Sequence, residues 1–196
     1  MGTFDGLRES LARVGAPVAE HLQPGMPADE VNALLRPLGL TPSRELEEWF
    51  AWQNGVPASE ASDSSQRGIG PSVELTPLVE LVGWCQELRS IYADAANEFG
   101  EESFWSDEWF PFVRSGGGID VVCDLGEGPE SPVLFVDPQD PFDEPPRVGS
   151  IALLASWWAD ALQDGTYRLD SNSKAWTVDY SVLEANHPDR ATLDVF

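Results

Sequence analysis

The sequence predicts an α+β domain in which several helices surround a largely antiparallel sheet with a β-meander at its centre. Apolar residues recur at steps of three and four over most of the first hundred positions, which is typical of amphipathic helices. From residue 109 the period falls to two, and glycine- and proline-rich turns separate the short apolar runs. Helical and strand-forming segments are therefore largely segregated along the chain, as in α+β proteins.

The first 35 residues predict helices. An amphipathic pattern covers residues 7–22, and Pro17 should kink or divide it because proline removes a helical hydrogen bond. Pro27, followed by two acidic residues, should begin a short helix that runs through Leu35.

A better-marked helix occupies "LTPSRELEEWFAWQNG". Thr41 is the predicted N-cap, Pro42 the predicted first turn, and Asn54-Gly55 the predicted end. One face should be buried and carries Leu46, Trp49 and Phe50.

Residues 57–72 and the helix after them are predicted from composition and period. The first segment is rich in Ser, Gly and Pro and should be an exposed, mobile loop. Thr76 and Pro77 should open the longest helix, and Gly100 should end it. Its buried stripe is expected to comprise Leu78, Leu81, Trp84 or Cys85, Leu88, Ile91 and Ala95.

The meander is predicted from "WFPFVRS", "IDVVCDL" and "PVLFVD". Gly116–Gly118 should connect the first two strands as a hairpin. Pro111 should place its strand at an edge or at a bulge, because proline cannot donate to a ladder. Alternation puts Asp120 and Asp124 on one face of the second strand, which we expect to be solvated.

The last third predicts a helix, two strands and a final helix. Ser150 should cap "IALLASWWADALQD", and Gly165 should end it. "TYRLD" and "KAWTVDY" are expected to be short strands, and the final helix should run from Ser181 to no further than His187. The inward face of the helix after Ser150 should hold Ile151, Leu154, Trp158 and Leu162. Trp157 cannot face the same core as its neighbour, so it is expected at a boundary, where tryptophan commonly anchors an interface.

Charge excludes one class of partner. The chain has 34 acidic and 11 basic residues, a net charge of −23, and Lys174 is its only lysine. Direct binding to nucleic acid is not expected, because neutralising phosphates requires a basic face. The acidity either keeps the protein soluble or attracts a basic partner, and charge alone does not decide between them.

The lack of a long apolar run and the small number of cysteines both favour a reducing cytoplasm. No apolar run approaches 18 residues and no basic–apolar leader is present, so we expect a cytoplasmic protein without a membrane span. Cys85 and Cys123 should be buried hydrophobic residues, and with His21 and His187 they form no zinc pattern.

Catalytic and metal motifs are absent from the sequence. The glycine run lacks phosphate-loop spacing, and Asp120 and Asp124 would lie about 13 Å apart, too far for a glycosidase pair. Residues 137–144 lack the central glycine of a calcium loop. No nucleophile motif accompanies the histidines, and His187 is expected at the surface. We therefore expect neither an enzyme nor a cofactor or metal.

Several blocks, in their order, resemble the SUKH superfamily, which contains fungal regulators of cell-wall assembly and killer-toxin resistance and many bacterial immunity proteins. The resemblance covers roughly residues 36–170 and leaves residues 1–35 as an N-terminal helical extension and 171–196 as a tail of one domain. It is carried by Pro42, Leu46, Trp49, Phe50, Asn54 and Gly55, then Trp109, Pro111, Phe112, Gly116, Gly118, Asp124 and Leu125, and finally Pro132, Val133, Trp157, Trp158, Gly165 and Tyr167.

The resemblance implies an α+β domain that binds a protein and catalyses nothing. We expect an immunity protein that neutralises a cognate bacterial toxin, such as a nuclease with a basic substrate groove. The expected contact residues are Asp120, Asp124, Asp137, Asp140, Asp143, Glu144 and Trp157. An intracellular adaptor like the fungal members and an enzyme of unrecognised chemistry remain as alternatives.

Overall fold

The computed structural model describes residues 2–61, 66–99, 105–116, 118–138 and 144–187. The helices are α1 Asp5–Val14, α2 Val18–His21, α3 Ala28–Leu35, α4 Arg44–Trp52, α5 Leu78–Phe99, α6 Ile151–Asp164 and α7 Tyr180–Asn186, with a 3-10 turn at Arg36–Leu38. The strands are β1 Val73–Glu74, β2 Trp109–Pro111, β3 Arg114–Ser115, β4 Asp120–Asp124, β5 Val133–Val136, β6 Arg147–Val148, β7 Tyr167–Leu169 and β8 Trp176–Val178. The predicted α+β fold class is confirmed.

A four-stranded antiparallel sheet in the order β2-β4-β5-β6 forms the centre of the fold. Trp109 lies opposite Asp124, and Asp120 lies opposite Val136, so the predicted meander is confirmed. Pro111 lies on β2, an edge strand, as its missing N–H donor requires. A fourth strand, β6, extends the sheet beyond the predicted three.

The glycine run does not close a simple hairpin. Ser115 of β3 pairs with Val73 of β1 in a separate two-stranded ribbon, and the chain returns to β4 only afterwards. Phe112 and Val113 are both buried although they are consecutive, so the strand alternation breaks there and the chain turns out of the sheet. Gly118 then adopts a left-handed φ of 86°. The residue before it lies outside the described ranges.

Helix boundaries follow the predicted caps except at the two ends of α4. This helix ends at Trp52 with Gln53 as its C-cap, two residues before the predicted Asn54-Gly55. Gly100, the predicted end of α5, lies outside the described residues. Gly15, with a left-handed φ of 66°, and Pro17 separate α1 from α2, as expected. Ser43 caps α4, not Thr41, because its Oγ accepts a hydrogen bond from the Leu46 N–H at 3.0 Å. Ser150 and Gly165 cap α6 as predicted, and the four residues expected on its inward face are buried.

Two predictions about burial in residues 57–99 are wrong in part. In the loop at 57–72, Arg67 and Ile69 are buried, because the segment folds back on β1 as a hairpin. Residues 62–65 of that loop lie outside the described ranges. On α5 the buried stripe ends in Tyr92 and Ala96, whereas Ile91 is 48% exposed, because the helical period carries the stripe one residue further.

Hydrophobic clusters cover both faces of the sheet. On one face, α1, α3, α4 and α6 surround a core in which the Trp49 and Phe112 rings meet edge to face at 5.5 Å. On the other face, the second half of α5 packs over Val122. The expectation of a solvated face around Asp120 and Asp124 is therefore wrong, because Val122 between them is fully buried. Cys85 and Cys123 are buried, as predicted.

Helix length bears on membrane insertion. In the described part of the chain, no helix is both long enough and apolar enough to cross a bilayer.

Candidate functional site

Three of the predicted contact residues lie together at one end of the central sheet. Asp120 lies opposite Val136, so Asp137 directly follows its partner on β5. The pairing of Leu134 with Arg147 runs antiparallel and brings Glu144, just before β6, to the same end. We call Asp120, Asp137 and Glu144 the acidic sheet end; the first two are half-buried and the third is exposed. Asp140 and Asp143 lie outside the described residues.

Asp124 lies away from this group, at the opposite end of β4. Its Oδ1 accepts a hydrogen bond from the Gly126 N–H at 2.9 Å, which shapes the turn after the strand. The four-residue separation from Asp120 corresponds to about 13 Å. The carboxylate of Asp124 therefore has a local structural role apart from the acidic sheet end.

Trp157 lies on α6 and is half-buried against the larger core, while Trp158 beside it is 1% exposed. The expectation that one of the two tryptophans lies at a boundary is confirmed. Leu153, one turn earlier on α6, is 42% exposed. Because α6 covers the face of the sheet opposite α5, Trp157 and Asp120 belong to different surfaces.

Tyr92 connects α5 to the acidic sheet end and was missed by the sequence analysis. Its hydroxyl donates a hydrogen bond to Asp120 Oδ2 at 3.0 Å. Burial raises the pKa of Asp120, and the hydrogen bond from Tyr92 opposes this only in part. Burial and the negative charges of Asp120 and Asp137 raise the pKa of Tyr92. Extending the stripe from Leu88 by four residues would have found Tyr92.

The acid at the centre of this group has no cationic neighbour in the described part of the chain. No arginine or lysine there lies within 4.0 Å of the Asp120 carboxylate. Arg147 on β6 contacts Glu127, in the turn at the far end of the sheet. Asp120 is thus a half-buried carboxylate whose only side-chain hydrogen bond among the described residues comes from Tyr92.

Titratable groups elsewhere have structural explanations. Burial raises the pKa of the Cys85 thiol to about 11 and that of Cys123 well above its ordinary value, so neither is a ready nucleophile. His187 contacts Asp164 at 2.6 Å with its side chain only 11% exposed. The prediction of a surface histidine is wrong because α7 folds back onto the end of α6. Among the described residues, no three His, Cys, Asp or Glu side chains form a metal-binding cluster.

No protein-family model matches the chain, and no curated protein matches it.

Proposed function

We propose that this chain is a non-enzymatic protein-binding domain of SUKH type that neutralises a cognate bacterial toxin by direct contact. The acidic sheet end is the proposed contact surface. The observation that carries the proposal is the half-buried Asp120 carboxylate, which has a raised pKa and no described cation beside it.

A basic side chain from a partner would relieve the cost of burying this charge. An ionised carboxylate taken partly out of water is unfavourable unless it is paired. An arginine of the partner could hydrogen-bond the carboxylate with two parallel N–H donors, which is the strongest common pairing for this group. The chain already orients the acceptor through Tyr92, whose O–H holds Asp120 Oδ2 at 3.0 Å.

The net charge supports the same class of partner. At −23, the whole molecule attracts a basic domain over distances set by the ionic strength. A toxin that is a nuclease needs a basic groove for its own substrate, and an acidic protein can occupy that groove. Steering of this kind raises the association rate more than it lowers the dissociation rate.

Co-expression tests the function. The chain is produced together with the product of the gene adjacent to its own, and growth and pull-down are recorded. Protection from a toxic neighbour together with a stable complex supports the proposal. A toxic neighbour that neither binds nor is neutralised contradicts it.

The surface is tested on the complex with charge-matched variants. Asp120→Asn, Asp137→Asn and Glu144→Gln are combined and compared with Glu9→Gln, Asp29→Asn and Glu30→Gln, which remove three exposed charges from α1 and α3. The first set should slow association by about tenfold at low salt, and the second should change it little. Equal effects would show that only net charge matters and would place the interface elsewhere.

A further inference from the structure

A groove that the proposed function does not use lies between a hairpin at residues 67–75 and the turn of the β7–β8 ribbon. Its volume is about 620 Å³, and small-molecule sites typically enclose roughly 300–1,000 Å³. Main-chain hydrogen bonds fix the hairpin, including Leu75 N–H to Arg67 O and Ile69 N–H to Val73 O, both at 2.9 Å. Pairing of β1 with β3 then holds the hairpin to the rest of the fold.

The groove wall is poor in side chains. A Cβ on Gly70 would lie 2.9 Å from the Tyr167 ring, and one on Gly68 would lie 3.2 Å from the Trp176 indole nitrogen. These glycines let the hairpin lie directly on the two rings. Gly116 also lines the groove, but a Cβ there would meet no atom within 4 Å. A side chain at position 116 would therefore occupy the groove without displacing the wall.

Two polar side chains that line the groove make no hydrogen bond or close ion pair with another described side chain. Lys174 lies in the ribbon turn with a left-handed φ of 57°, and no described carboxylate lies within 4.0 Å of its ammonium. The Ser72 hydroxyl likewise makes no hydrogen bond to a described group. The neighbouring acid Asp170 accepts from the Ser173 N–H through its Oδ1 at 2.7 Å. Its pKa is lowered mainly by hydrogen bonds from Ser173 and to a smaller extent by the charge of Lys174, which lies beyond 4.0 Å from it.

The remaining charge in the groove is already compensated. Glu74 lines it, and its carboxylate lies 3.2 Å from the buried Arg67 guanidinium. Lys174, the only lysine of a chain with net charge −23, thus lines this groove with no described carboxylate within 4.0 Å of its ammonium. A polyanion would be repelled by the molecule as a whole, whereas a single negative charge could be held by one ammonium and one hydroxyl.

We propose that this groove binds a small organic monocarboxylate. Lys174 and Ser72 donate to the carboxylate, and the flat, apolar body of the ligand lies against the half-buried Trp176 ring. The site is independent of the partner surface, so its failure would leave the proposed function unaffected.

Titration of the full chain with benzoate, followed by NMR of the tryptophan indole N–H groups, tests the site. The Trp176 indole N–H is buried beside Gly68 and has no described acceptor, so its resonance should respond to the ring current of an aromatic ligand that lies against the indole ring. Trp176→Phe identifies the resonance by its loss. Benzamide, which has the same shape without the charge, is the matched probe.

Benzoate should shift this resonance saturably, and benzamide should not. Lys174→Asn, which suits the left-handed backbone, should weaken benzoate binding about tenfold, while Lys174→Arg should retain it. Gly116→Leu should abolish the shift, and Gly83→Leu, at another glycine whose Cβ meets nothing within 4 Å, should not. No saturable shift, an equal response to benzamide, or unchanged binding by Lys174→Asn would overturn the proposal.

Discussion

The Glu45 carboxylate caps a helix more than a hundred residues away: its Oε1 accepts a hydrogen bond from the Ala152 N–H at 2.8 Å, in the first turn of α6. Its Oε2 accepts from the N–H groups of Ile151 and Ser131, both at 3.0 Å. One buried side chain on α4 therefore joins the start of α6 to the segment leading into β5. The positive end of the α6 dipole favours a negative charge at this position.

Replacing this carboxylate should destabilise the whole fold. Glu45→Gln keeps the shape but turns an amide N–H₂ toward main-chain donors, so the free energy of unfolding should fall by about 3 kcal/mol. Urea unfolding measures the change. Glu30→Gln, at an exposed glutamate in the first turn of α3, is the control and should have little effect. Equal losses in the two variants would contradict a capping role for Glu45.

Removing the buried cation of the 67–75 hairpin, Arg67, should also lower the free energy of unfolding. Arg67 lies 3.2 Å from Glu74 and 3.4 Å from Glu80, and its side chain is 9% exposed. Arg67→Met would leave both carboxylates without their partner, so we expect a loss of about 2–4 kcal/mol in chemical unfolding. Arg44→Met breaks an exposed pair with Glu48 and should change stability little. A small loss in Arg67→Met would mean that the ion pairs are dispensable.

Asp120→Asn should raise stability at neutral pH. Because burial raises the pKa of Asp120, the folded state holds the proton more tightly than the unfolded chain. The contribution of this protonated carboxyl to the free energy of unfolding is fully present below the ordinary pKa of 3.8. It is lost as the pH rises through the pKa of Asp120 in the folded state. The variant cannot ionise, so its unfolding midpoint in urea should exceed that of the parent at pH 7.

The advantage of Asp120→Asn should disappear near pH 3, where the parent carboxyl is protonated. Asp94→Asn, at an exposed aspartate on α5, controls for the loss of one negative charge. An Asp120→Asn protein that is less stable than the parent at pH 7 would contradict the claim that burial disfavours the ionised carboxylate.

Asp164 should hold α7 against the end of α6. Burial alone would raise the pKa of Asp164, but hydrogen bonds from Thr166, Asn186 and His187 outweigh it and lower the pKa below 3.8. The stability is present above pH 3.8 and is lost as the pH falls through the folded value. Asp164→Ala should speed hydrogen exchange of the α7 amides roughly tenfold at pH 7, because the free energy of opening α7 falls.

Glu184→Ala, an exposed change on α7 itself, controls for this measurement and should leave α7 protected. If both variants exchange alike, α7 is held by its apolar contacts through Leu183 and not by Asp164.

The elements that sequence could predict are those whose signals are local. Ser150 and Gly165 bound α6 as expected, because a cap needs only the residues of its own turn. Pro111 indicated an edge strand because proline lacks the backbone N–H that a central strand must donate, whatever the rest of the fold. The prediction of Thr41 as the cap of α4 is wrong because Ser43 is also a good cap residue. Only the folded backbone decides which hydroxyl reaches the Leu46 N–H.

What sequence could not predict depends on contacts between distant segments. The face of β4 that carries Asp120 is covered because α5 folds across it, and strand alternation cannot reveal such a cover. In the sequence Glu45 is an ordinary acidic residue in the first turn of α4. Its capping role depends on the packing of α6 against it, which the sequence does not show. The side chain of His187 is 11% exposed where α7 returns to Asp164. The candidate site was thus predicted in part: its acids were named and Asp120 and Asp124 were expected to lie about 13 Å apart, but the hydrogen bond from Tyr92 to Asp120 was not foreseen.

The association rate with the protein captured in the co-expression experiment tests the central claim most directly. The single variant Asp120→Asn is compared with Asp124→Asn, which removes one charge from the opposite end of the same strand. The account predicts slower association and a flatter salt dependence for Asp120→Asn, together with its higher stability at pH 7, and parent-like association for Asp124→Asn. Parent-like association and salt dependence for Asp120→Asn would contradict the acidic sheet end as the binding surface.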